Sequence, residues 1–124
     1  MTHSDDSDRH TTIADLRQAV GRFVADRQWE VYHNPKNLAM GVAIEAAEIM
    51  EHFQWITVEE GAEVVKDPQK RAQVAEELAD VMICCLSFAN QAEIDLSSAI
   101  RSKLKKNEGR YPAGRRSEGR GGGA

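Results

Sequence analysis

Two long stretches of this chain combine apolar side chains with acids and contain no basic partner, which constrains the fold more than any other feature. Residues 38–58 and residues 72–100 both lack Lys and Arg, yet the first carries Glu45, Glu48 and Glu51 and the second carries Glu76, Glu77 and Asp80 among its acids. Glu45 and Glu48 are three residues apart, as are Glu77 and Asp80, so each pair projects from one helix face. Ionised carboxylates are expensive to bury alone, and like charges at this spacing repel. Packing two such helices antiparallel brings four carboxylates together, a conflict that a hard divalent cation resolves. Oxygen-only ligation favours magnesium, manganese or calcium over zinc or copper. Four carboxylates suit one cation at rest and two or more when a polyphosphate supplies further oxygens. The competing reading is a solvent-facing stripe of i,i+4 ion pairs, for which the required Lys and Arg are missing.

The rest of the chain reads as all-α, with four main helices, one short helix and a bundle-like arrangement. Runs of β-branched residues bounded by turns are hard to find, while Ala, Glu, Leu, Met and Gln dominate the long periodic segments. Thr12, with Asp15 three residues on, is the N-cap of a first helix; it places Ile13, Leu16, Val20, Phe23 and Val24 on one face and runs to about Gln28. Pro35 disfavours helical geometry at Asn34 and opens a second helix over about 36–55, expected to be buried on most sides. Thr57-Val-Glu-Glu60 is a capping box for a short helix ending near Val65. Asp67-Pro68 starts a fourth helix that reaches about Ala92, with Val74, Leu78, Val81, Met82, Cys85 and Leu86 as its apolar face. A last helix begins at Asp95 and ends near Asn107-Glu108-Gly109, with Leu96, Ile100 and Leu104 on one side. Residues 1–11 and 113–124, the latter Gly- and Arg-rich, read as disordered tails around one domain at 12–112.

A net charge of −4 does not point to a nucleic-acid polymer, although a nucleotide remains compatible. Cys84 and Cys85 are helical neighbours pointing about 100° apart and are not expected to pair; buried thiols fit a reducing cytoplasm, the expected location. The first ten residues lack a signal-peptide pattern, and no apolar stretch approaches the ~20 residues that span a bilayer.

Glu45-Ala-Ala-Glu48 followed by Glu77-Leu-Ala-Asp80 resembles the ExxE…ExxD signature of the MazG-like all-α nucleoside triphosphate pyrophosphohydrolases. The likeness extends through Trp29-Glu-x-Tyr-His-x-Pro-Lys-Asn-Leu38, Phe53-Gln-Trp55, Asp95-Leu96 and Lys103…Asn107…Arg110-Tyr-Pro112, segments similar to the dCTP pyrophosphatase branch. The resemblance implies Mg2+-dependent hydrolysis of a (d)NTP to (d)NMP and pyrophosphate, with Mn2+ as a substitute, in nucleotide-pool housecleaning. It also implies a homodimer or homotetramer whose sites are completed by neighbouring subunits. Carried over by position, Glu45, Glu48, Glu77 and Asp80 are the metal ligands, and one of the glutamates takes a proton from the attacking water. Lys103, Asn107, Arg110 and Tyr111 then suit the triphosphate end; the alternative for Lys103 and Arg110 is a solvated helix end that complements the macrodipole. Trp29 and Trp55 are base-stacking candidates beside His33 and Asn37, or else core or subunit-interface residues. His52 reads as a helix-surface residue. Val20 and Cys84 depart from the polar and aromatic residues familiar in the branch, which bears on dCTP preference and leaves the reaction class intact.

Two other classes compete. A carboxylate-bridged di-iron bundle needs two Glu-x-x-His motifs, and this chain has one, Glu30-Val-Tyr-His33, against a helix break. A non-enzymatic helical oligomerisation or interaction module tolerates exchange of the four acids for Gln or Asn.

Overall fold

The computed structural model describes residues 6–114. Among these residues the fold is all-helical: α1 (Ile13–Asp26), α2 (Pro35–Glu51), α3 (Val58–Val64), α4 (Pro68–Ala92) and α5 (Leu96–Arg110), with no strand. The expected tails fall partly outside the described residues, at 1–5 and 115–124; Ser7 to Thr11 form a turn in which the His10 and Thr11 N–H groups donate to the Ser7 carbonyl. The chain divides into two compact units, Met1–Glu93 and Ile94–Ala124.

Helix starts follow local chemistry. Thr12 and Asp15 form a reciprocal capping box on α1, and Thr57 and Glu60 do the same on α3. The Glu60 carboxyl is held below its usual range by the backbone and hydroxyl hydrogen bonds of Thr57. Asn34, Asp67 and Asp95 cap α2, α4 and α5, and Pro follows directly in the first two cases. Helix ends are less regular. Gln28, just beyond α1, and Glu93, the cap of α4, adopt left-handed φ values of 56° and 54° without glycine's freedom.

In the first unit α4 is the central element, with α2 and α1 packed on it. Val24, Leu38, Leu86 and Ala89 are its buried apolar residues, Leu86 being only 2% exposed. Across α1 and α4, Arg17 Nε donates to Asn90 Oδ1 at 3.0 Å, while Asn90 Nδ2 donates back to the Arg17 carbonyl at 3.0 Å. A second Arg17 bond, from its guanidinium to the Ala89 carbonyl, closes this polar clamp.

Two expectations for α2 require correction. The helix ends at Glu51, four residues early, because residues 52–56 must turn before Thr57 can take the extended geometry of the next cap. Nor is it buried on most sides. Leu38 is buried, but Met40, Ile44 and Met50 are exposed, as are Leu78, Met82 and Ile83 on α4. Among the described residues α2 has its main packed partner in α4.

Candidate active site

Two cross-helix approaches set the register of α2 against α4. A Cβ built on Gly41 would lie 3.4 Å from Cys84 Sγ, and His52 Nε2 lies 2.5 Å from Glu77 Oε2. Advancing from Gly41 to His52 on α2 therefore corresponds to moving back from Cys84 to Glu77 on α4, so the helices are antiparallel. Glu45, Glu48 and Asp80 fall between these two points, and Glu77 stands at one of them.

Their fields overlap. Partial burial, followed by the neighbouring Glu48, Asp80 and Glu77 carboxylates, pushes the Glu45 carboxyl above its usual range. Burial also pushes the Cys84 thiol up, reinforced by Glu45, Cys85 and Asp80, so Cys84 stays a protonated thiol against the acid cluster. Both cysteines are free and half-buried. Glu45 and Glu77 are half-buried, whereas Glu48, Asp80 and Glu76 are exposed. Among the described residues no three His, Cys, Asp or Glu side chains converge closely enough to form a metal-holding group. Glu77 is turned to His52, and among the described residues the acids share a field without forming a closed shell.

His52 is the site residue that a surface reading misses. It caps the C-terminus of α2, its side chain is 23% exposed, and it pairs with a Glu77 side chain 24% exposed. The signal was in the spacing: Glu45, Glu48 and His52 follow i, i+3, i+7 and share the face that meets α4. Beside His52, a cleft of about 780 Å³ opens between the turn after α2, α3 and the start of α4, with Lys66, Lys70 and Gln73 on its wall.

The expected base-binding residues divide into separate settings. Trp29 stacks on His33 with centroids 6.1 Å apart and meets Phe23 edge-on at 5.7 Å. Arg27 covers the Phe23 ring at 3.7 Å, which makes this a cationic aromatic cluster. His33 also lines a small cavity of about 160 Å³ with Ser87 and Asn90, and among the described residues neither His33 Nδ1 nor Ser87 Oγ has a hydrogen-bond partner. Asn37 donates its side-chain amide to the Tyr32 carbonyl and so braces the turn that carries His33. Trp55 is 85% exposed, which rules out a core role within the chain. In the second unit α5 continues through Arg110, so Lys103, Asn107 and Arg110 follow i, i+4, i+7 on one face. Tyr111 caps that helix through its N–H to the Asn107 carbonyl, and Arg110 lies 5.4 Å above its ring.

A family model described as MazG-like matches residues 41–120, which include both carboxylate motifs. The chain belongs to the MazG-like family. Its relatives include human dCTP pyrophosphatase 1, 39% identical over 102 residues, and the mouse protein of the same name, 38% identical over 101 residues. Each alignment covers 82% of this chain, and the chain spans about 60% of the length of these curated relatives. A crystal structure of a pyrophosphatase from Archaeoglobus fulgidus matches with a TM-score of 0.76 and 37% identity, covering 90% of this chain and 98% of that one. Among the described residues no helix is long and apolar enough to cross a membrane.

Proposed function

We propose that this protein is a Mg2+-dependent nucleoside triphosphate pyrophosphohydrolase that converts a (d)NTP, with dCTP or a modified dCTP as the leading candidate, to monophosphate and pyrophosphate. The observation that carries this reading is the shared field of Glu45, Glu48, Glu77 and Asp80 across two packed antiparallel helices, whose motif-bearing stretches at 38–51 and 72–92 contain no Lys or Arg. An all-oxygen donor set of this kind fits a hard cation, Mg2+ or its substitute Mn2+. When bound, the cation supplies charge neutralisation for phosphate oxygens and Lewis acidity toward an attacking water.

The chain's own groups have distinct roles in this reading. The four carboxylates hold the cation, and one of the glutamates accepts the proton of the attacking water. The cationic face of Lys103, Asn107 and Arg110, with Tyr111 at its end, binds the triphosphate. Trp29 and Trp55 lie at opposite ends of α2, so they stack on the base from different copies of the chain, with His33 and Asn37 beside Trp29. Exposed Met40, Ile44, Leu78, Met82 and Ile83 on α2 and α4 support assembly with further copies as a dimer or tetramer.

Pyrophosphate release from a panel of NTPs and dNTPs with Mg2+, beside EDTA and Glu48→Gln controls, tests the function. Equal monophosphate and pyrophosphate, lost in both controls, is the expected result. No release from any canonical nucleotide or from 5-methyl-dCTP would overturn it and favour the non-enzymatic helical module.

A further inference from the structure

We infer that His52 is a positioning residue that orients Glu77 for metal binding, an inference that rests on the function proposed above. His52 is the sole basic residue in residues 38–58 and 72–100, the stretches that carry all four motif acids. It stands at the C-terminal cap of α2, and its Nε2 reaches Glu77 Oε2 on α4 at 2.5 Å, with both side chains about three-quarters withdrawn from solvent. With the proton on Nε2, His52 donates to one carboxylate oxygen and leaves Oε1 of Glu77 outside that bond. Ligating carboxylates are commonly held this way, since a hydrogen bond to one oxygen fixes the rotamer in which the other meets the cation.

The imidazole is itself supported. Its ring meets Phe53 edge-on, with centroids 6.3 Å apart and planes at 63°. Phe53 in turn lies against α3, where a Cβ on Gly61 would come within 3.4 Å of its ring. The chain Gly61, Phe53, His52, Glu77 thus ties the α2–α3 turn to one metal-ligand candidate. A surface histidine would have neither the cross-helix partner nor the ring support.

The test measures Mn2+ binding to the full-length protein by calorimetry without nucleotide, then Mg2+ activation of pyrophosphate release. His52→Ala should weaken Mn2+ binding by ~10–100-fold, the usual effect of removing a group that orients a ligand, and raise the half-activating Mg2+ concentration in parallel. His52→Gln, whose amide can donate to the same oxygen, should recover most of the loss. His52→Phe keeps a ring against Phe53 without the donor and should behave like the alanine variant, so it carries the test if His52→Ala fails to fold. Mn2+ binding by His52→Ala and His52→Phe within twofold of the wild type, or tighter, would overturn the role of His52 while Glu48→Gln still loses binding. No Mn2+ binding by the wild-type chain would overturn the metal reading and this inference together.

Discussion

Replacing Trp55 with alanine separates a substrate platform from a structural tryptophan. Trp55 is 85% exposed, so only a small part of its surface leaves water when the chain folds. Taking ~250 Å² for an indole side chain and ~25 cal/mol per Å² for apolar burial, that part contributes no more than ~1 kcal/mol to folding. A domain of this size shifts its Tm by ~4–8 °C per kcal/mol, so Trp55→Ala should melt within that range of the wild type. Losing a base stacked on the indole instead removes ~1–3 kcal/mol of binding, or ~5–150-fold in KM, with metal-dependent turnover retained. Steady-state kinetics on each dNTP, thermal melting and light scattering at matched protein concentration make the comparison. KM values within twofold of the wild type for every base would refute the stacking role. A fall in particle mass accompanied by a large loss of Tm would instead make Trp55 an interface residue.

Further outcomes follow from the core and the acid cluster. Leu86→Ala should lower stability by ~2–5 kcal/mol, measured by urea unfolding, since Leu86 is 2% exposed on the central helix; a change below ~1 kcal/mol would contradict its burial. Ser87→Ala should be neutral or stabilising by about 1 kcal/mol in the same assay, because the buried Ser87 hydroxyl has no hydrogen-bond partner among the described residues; a clear loss would reveal one. For Glu45 the folded carboxyl holds its proton to higher pH than the unfolded one, so stability in EDTA should fall as pH rises from the ordinary carboxylate range through the folded value. Glu45→Gln should remove that slope and raise Tm at neutral pH in EDTA while abolishing metal-dependent pyrophosphate release. A lower Tm than the wild type under those conditions would show that the acid cluster does not strain the fold.

The helix count, the capping boxes at Thr12 and Thr57, the cap at Asp67 and the two carboxylate pairs were legible in the sequence by itself. Each depends on residues within about one helical turn of one another, where chain geometry leaves little freedom. The ends of α1 and α4 were legible to within two residues, but the left-handed φ values at Gln28 and Glu93 were hidden, since neither is a glycine. The extent of exposure on α2 was equally hidden. Its composition reads as buried, but burial depends on what packs against each face, and among the described residues α4 alone is a substantial partner. His52 shows the same division at the site. Its i+7 relation to Glu45 places it on the correct face, yet only the packing of α2 against α4 brings it to Glu77. Periodicity along one helix determines which side chains share a face; the tertiary structure decides which of them meet, because that depends on the register and rotation of a second helix far away in the chain.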